Sequence, residues 1–445
     1  MSKPERGARV AVIGAGIAGL TAAYRLKQAG HTPVVLESAD YVGGRIKSVR
    51  RGDFLFDVGA FIYLGSYQQS IDLIREVGLG DEMGVFDAYG AMPRDGKLNF
   101  LDFNKPLRTV LATDYLSAGG KLRMIKLMLL LLRHWKDLNY VDAAGIATVD
   151  SDSVRSYAER ELTPELLEFV ASVVVRGPWL ASPERASVAQ LLWTMKNFFK
   201  PYFYGLDNGM DALPRALAAV LDVRLNCAVS NVVDHGNGAE VSWSSAEQSF
   251  TERFDACLIT TTTDVTLKIF PQVSGFVREF LEATEYISSV NTHIALRKRP
   301  QNPATYIMAA PSEQPDLCGV IVDHLKARGR VPEGKGMITA FCRDEWCKAN
   351  LHTPDAQVIE QVLGFLKPYY GDLSGDVEDV MIGRWERVVP IMAKGRFKQV
   401  AQYQKSVDPK ARVQLAGDLE PIGGVNAALV SGDKAGRRIA AIFSS

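Results

Sequence analysis

Three glycines, Gly14, Gly16 and Gly19, follow the β-branched run RVAVI at Arg9 to Ile13 and lead into a helical stretch from Leu20 to Gly30. That order of strand, glycine turn and helix is suited to gripping a pyrophosphate. Gly14 allows the tight turn, Gly16 lets backbone amides approach the anion, and Gly19 lets helix and strand pack closely. Ile17 and Ala18 complete the turn, so the free N–H groups and positive dipole end of the helix face the phosphates. A second strand, TPVVLE, ends at Glu37, 18 residues past Gly19, with Ser38 beside it. Glu37 is placed to accept hydrogen bonds from a ribose, and an acid there would repel a 2′-phosphate, which disfavours NADP. At this point both FAD and NAD remain open.

Two further segments bear on that choice. YVGGR places Gly44 and Arg45 just after the ribose acid, and FLFDVGA ends in Gly59 and Ala60. Arg45 is a fixed cation, and the two small residues let backbone come close to a ring. At the far end, VQLAGD ends in Gly417 and Asp418, and PIGGVNAALVSG opens a helix with Gly423, Gly424 and Val425. These segments together resemble the flavin amine oxidase superfamily. The resemblance implies FAD, with Arg45 at the phosphates or flavin edge and the backbone after Asp418 at the ribityl chain and flavin N1–C2 region. It also implies that Val229, in the strand RLNCAVSNVVD, meets the adenine through its backbone. No cysteine stands near Gly423, so the FAD is expected to be non-covalent.

The elements that must carry these residues are interleaved along the chain. The expected fold class is α/β (α+β overall), with a discontinuous Rossmann-type FAD-binding domain of the glutathione-reductase-like class. Residues 1–84, 205–275 and 405–445 are assigned to it. Residues 85–115 and 276–404, with strands such as TYIMAA, LCGVIVD and GMITAFC, are assigned to a mixed-sheet substrate domain. Residues 116–204 form a helical lobe, with helix starts read at Thr163-Pro164 and Ser182-Pro183. Within the lobe, KLRMIKLMLLLLRHWK from Lys121 to Lys136 is apolar and basic. It reads either as a membrane-surface or greasy-substrate element or as a core helix whose cations snorkel at its ends.

Within the superfamily the chain most resembles protoporphyrinogen oxidase-like flavoproteins. NGMDALPRAL, VVVRGPWLAS, RWERVVPIMAKG and GGVNAALVSG carry that resemblance, although Met392 stands where a tyrosine is common. Two departures from monoamine oxidases follow. The lysine linked to flavin N5 has no counterpart at Asn291 to His293, and the aromatic-cage position is Gly424. The implied reaction is hydride removal from a C–H bond to flavin N5 (a desaturation or dehydrogenation), with O2 or another acceptor reoxidising the flavin. No dedicated base is legible. Arg108, in FNKPLR with Lys105, is the candidate anchor for a substrate anion. Trp385 and His293 are candidate flavin-facing residues, and Arg176 and His324 are weaker ones. The rivals are an amine oxidase with an atypical site, a redox-neutral FAD isomerase that moves double bonds, and an NAD(P) dehydrogenase.

Composition bounds the rest. The 445 residues carry 51 Lys plus Arg and 51 Asp plus Glu, so no global charge draws the chain to nucleic acid. An apolar fraction of 47% supports a large core and argues against disorder. The five cysteines are odd in number and form no C-x-x-C pair, which argues against a disulfide framework or structural zinc, and no metal site is expected. No signal peptide is read before Arg9, so the expected location is cytoplasmic, with peripheral membrane contact left open. The expected partners are a small-molecule substrate and an electron acceptor.

Overall fold

The computed structural model describes residues 7–86, 89–105, 108–109, 112–199 and 202–444. Its centre is a five-stranded parallel sheet in the order Asp222–Arg224, Thr32–Leu36, Arg9–Ile13, Ala256–Ile259, Val413–Leu415. The three inner strands read as apolar runs because helices cover both faces of such a sheet. The helix Ile17–Gln28 follows the first strand, and the helix Val425–Ile442 follows the last.

These two helices lie backbone to backbone. A methyl group built on Gly432 would sit 2.0 Å from the Ala18 carbonyl oxygen, and one on Gly436 would sit 2.7 Å from that of Ala22. Both partners advance by four residues together, so the helices run parallel. Their N-termini therefore open at the same end, beyond the carboxyl ends of the sheet strands.

A three-stranded antiparallel sheet, Ala228–Asp234, Ala239–Ser245 and Gln248–Phe254, is inserted before Ala256–Ile259. A larger, seven-stranded mixed sheet has the order Val377–Trp385, Ser289–Leu296, Gly336–Cys342, Leu317–Val322, Tyr306–Met308, Tyr89–Arg94, Lys97–Asp102. All eight residues of Ser289–Leu296 are buried, since the strand is interior and covered on both faces. The helices Ala118–Arg133, Val154–Glu161, Val173–Trp179 and Val188–Asn197 make the lobe, with one π-helical stretch at Leu167–Ser172.

The helix start read at Thr163-Pro164 is present, and the Thr163 hydroxyl accepts from the Leu166 N–H. The one read at Ser182-Pro183 is not. Residues 183–185 form a turn, and the helix begins at Val188 with Ser187 as its N-cap. The Ser187 N–H donates to the Met392 carbonyl, and its neighbour Ala186 bridges to Ala393. That tertiary pairing holds Ala186 and Ser187 against Met392 and Ala393, with Ser187 extended, and moves the start by five positions. The five cysteines are free and buried.

The backbone contact makes a paired prediction. Gly432→Ala forces the two helices apart and lowers the thermal midpoint by several degrees. Gly364, exposed on the helix Asp355–Tyr370, has nothing within 4 Å of a built methyl. Gly364→Ala raises stability by about 0.5–1 kcal/mol through helix propensity alone. Calorimetry of the two variants checks both signs.

Candidate functional site

The glycine turn is built as its spacing implies. Gly14 has φ +101°, and its N–H donates to the Leu36 carbonyl at 2.8 Å. A methyl on Gly19 would lie 2.0 Å from the Gly14 carbonyl oxygen, so only glycine permits this closeness. Gly16 differs: nothing lies within 4 Å of the methyl it lacks. The space in front of it is open, as an anion resting on the turn requires. Ile17 and Ala18 are buried at the start of the helix.

Glu37 closes the turn from the second strand. Its Oε2 accepts from the Ala15 N–H at 2.7 Å, and its Oε1 accepts from the Ala39 N–H at 2.9 Å and the Ser38 hydroxyl at 3.2 Å. The Cys227 N–H donates to the Glu37 carbonyl at 2.7 Å. That bond brings the strand containing Val229 alongside, where Val229 pairs with Trp243 next to a bulge. Gly43 donates to the Ala15 carbonyl at 2.8 Å, and the position of a Gly44 methyl is 3.4 Å from the Gly16 Cα.

Arg45 joins this turn to the other end of the chain. Its Nη2 lies 2.8 Å from Asp418 Oδ2, and its Nη1 donates to the Val388 carbonyl at 2.8 Å. Burial is the largest influence and opposes the guanidinium charge, but Asp418 and Tyr286 together outweigh it and raise the pKa. Gly59 packs directly on the Arg45 carbonyl, and the Ala60 N–H donates to it at 2.9 Å. Gly417, at φ +111°, donates to the Ser431 hydroxyl at 3.0 Å. Gly423 abuts Val389 and Pro390, and Gly424, at φ +102°, caps the helix that Val425 begins. Asn426, in the first turn, is held by Ser70: its Oδ1 accepts from the Ser70 N–H at 3.0 Å and hydroxyl at 2.9 Å. Two helix N-termini, one acid and one paired arginine thus converge, the helix starts at Ile17 and Val425 being 408 positions apart.

Comparison with known proteins decides the kinship. The model of the family described as flavin containing amine oxidoreductase matches residues 17–440. The chain belongs to that family. Protoporphyrinogen oxidase of Nicotiana tabacum is 28% identical over 202 residues, 44% of this chain and 38% of that protein. A 15-cis-phytoene desaturase of Arabidopsis thaliana is 22% identical over 447 residues, 94% of this chain and 73% of that protein. The chain spans less than two fifths of the length of the first two curated relatives it matches. Among solved structures, a putative protoporphyrinogen oxidase from Exiguobacterium superposes with a TM-score of 0.74 at 17% identity, covering 98% of this chain and 99% of that one. FAD is the cofactor that goes with this family, and the open cradle at Gly16 fits that group.

Other candidates of this family member sit elsewhere. Trp385 is half-buried at the end of its strand, and its Nε1 donates to the Val58 carbonyl at 2.7 Å, next to Gly59 and Ala60. Arg108 is exposed on a helical turn after Lys97–Asp102. Arg176 is buried and donates to the Pro315 carbonyl at 2.6 Å, a tie between helix and loop. His324 accepts from the Met337 N–H at 3.2 Å.

His293 belongs to a buried ionic network that the sequence did not announce. Its Nδ1 is 2.7 Å from the Thr339 hydroxyl, which donates to Asp323 at 2.5 Å. Asp323 pairs with Lys326, and Asp57 pairs with Arg330, with Lys326 Nζ 4.0 Å from Asp57. All four charged side chains are fully buried. Burial alone would raise Asp323, but the Lys326 charge and hydrogen bonds from Lys326 and Thr339 hold it below the usual carboxylate range. Lys326 and Arg330 come from KARGR, which reads as a solvated basic loop, so no local signal could have marked them. The Lys326 ammonium also lies 5.3 Å from the Phe61 ring centroid, beside Ala60.

Burial pushes His293 down to about 4, so it is neutral in the folded protein. The unfolded chain takes up that proton first, so stability is fully present above about pH 6.5 and is lost as pH falls toward 4. Its contribution to the slope approaches ~1.4 kcal/mol per pH unit in that window. His293→Asn removes this part of the slope, as denaturant midpoints at pH 6.5 and 5 will show. The Cβ of a Gly16→Val side chain has no protein atom within 4 Å, so the chain is expected to fold with an unchanged apoprotein melting midpoint but to retain no flavin. Flavin absorbance of the purified variant at wild-type level would refute the phosphate-turn assignment.

Proposed function

We propose that the protein oxidises a large, largely apolar, conjugated substrate by two electrons, as a desaturase or porphyrinogen oxidase does. The chemistry FAD supplies when bound is acceptance of hydride at N5, with O2 or another acceptor taking the electrons onward. The observation that carries the substrate class is a cluster of aromatic rings where the seven-stranded sheet meets the helical lobe. Phe103 stacks on Phe198 at 5.1 Å and on Tyr306 at 6.2 Å, and Phe203 meets Tyr306 edge-on at 5.6 Å. The Tyr306 hydroxyl is buried there without a partner among the described residues. A buried tyrosine hydroxyl ordinarily finds a partner. The partner proposed is a polar group on the substrate, which the rings orient while excluding water. Burial keeps this phenol protonated, its pKa well above the usual value, so it serves as a donor.

The amine-oxidase alternative lacks this kind of support. Asn291 to His293 supply no lysine, and Gly424 supplies no ring, so an amine would meet neither group expected of that chemistry.

An anaerobic screen of the purified holoprotein tests the reading. Porphyrinogens or polyenes bleach the flavin and amines do not. Peroxide formation from amines would overturn the proposal, and turnover of a polyene without net bleaching would establish double-bond isomerisation instead. Tyr306→Phe keeps its flavin and its melting midpoint, because an unpaired hydroxyl is removed. It slows flavin reduction about tenfold, the equivalent of one hydrogen bond of ~1.4 kcal/mol.

A further inference from the structure

The helix Ala118–Arg133 presents an apolar face that is unpartnered among the described residues. Leu122 is 69% exposed, Ile125 54%, Leu129 62% and Leu132 58%. Spaced by three, four and three residues, they form one stripe along the helix. The opposite face is already used, since Gly120, Leu127 and Leu131 are buried against the lobe. The stripe is thus surplus to the fold of this chain.

Charge identifies what the stripe suits. Residues 117–136 contain five cations (Lys121, Arg123, Lys126, Arg133 and Lys136) and no Asp or Glu, in a chain whose formal net charge is zero. At 100° per residue Lys121 borders one side of the stripe, and Arg133 and Lys126 border the other. Lys126 is paired with Glu161. Past the helix end, Trp135 meets Phe199 edge-on at 5.1 Å, and Phe199 is 47% exposed, which extends the patch with aromatic rings. An apolar stripe flanked by cations with aromatics at one end is the pattern of a helix lying in a membrane interface. A two-fold contact between copies would set these cations against themselves. Among the described residues no helix is long and apolar enough to cross a membrane.

We propose that Ala118–Arg133 lies in the interface of an anionic bilayer, with Leu122, Ile125, Leu129 and Leu132 in the acyl boundary and the flanking cations at the headgroups. This docking is independent of the reaction the flavin performs.

Co-sedimentation of the holoprotein with phosphatidylcholine vesicles, plain or doped with phosphatidylglycerol, tests it. The expected result is binding to the doped vesicles that weakens with salt. A Leu122→Glu/Leu129→Glu double variant reduces it at least about tenfold, because two buried contacts are lost. Both sites are exposed, so flavin content and melting midpoint stay at wild-type values and separate lost docking from misfolding. Absence of wild-type binding to doped vesicles, equal binding to plain ones, or undiminished binding of the double variant would overturn the proposal. So would light scattering that shows a dimer dissolved by the same two substitutions, which would make the face a contact between copies.

Discussion

The close approach of the first and last helices sets the geometry of the whole cofactor end. At Gly432 and Gly436 there is no room for even a methyl group against the carbonyls of Ala18 and Ala22. With side chains there the helix axes would separate, because packed interiors yield little to added volume. The parallel alignment that results puts both N-termini at the carboxyl end of the sheet. Fixed dipoles and free N–H groups then face one space from two ends of the chain. The rest of the cradle is arranged around that alignment.

Electrostatics sharpens what the packing permits. Glu37 uses one carboxylate oxygen to hold the Ala15 N–H within the glycine turn and the other to hold the Ala39 N–H just past its own strand. Arg45 spans from that turn to Asp418, and the pair gives each charge a partner in a partly buried setting. Neither interaction is a large source of stability by itself. Their role is positional: they hold the Gly43–Gly44 loop, the Gly59–Ala60 backbone and the C-terminal helix in one register.

The network below Phe61 obeys a stricter rule. Asp57, Asp323, Lys326 and Arg330 have no access to water, so each charge needs an opposite partner and the set sums to zero. His293, beside a balanced set and fully buried, has no surplus anion to hold a proton and stays neutral. The same need for compensation explains why these residues come from four separate segments, around residues 57, 293, 323–330 and 339. A network of this kind cannot be assembled from neighbours along one element.

The strand, glycine turn and helix were legible from residues 9–37 alone, since a tight turn and close strand–helix packing are local requirements that spaced glycines meet. The C-terminal glycine pair was legible for the same reason, as was a helix at Thr163-Pro164. Long-range pairing was not. The helix start at Ser187 rather than Ser182 depended on a bond to Met392, 205 residues away. KARGR has the composition of an exposed basic loop, yet two of its cations are sealed inside, because acids from other segments neutralise them there. The apolar helix at residues 118–133 read more readily as a core helix than as a surface one. Periodicity reports that a helix has two kinds of face, whereas which face is covered depends on what the rest of the chain packs against it.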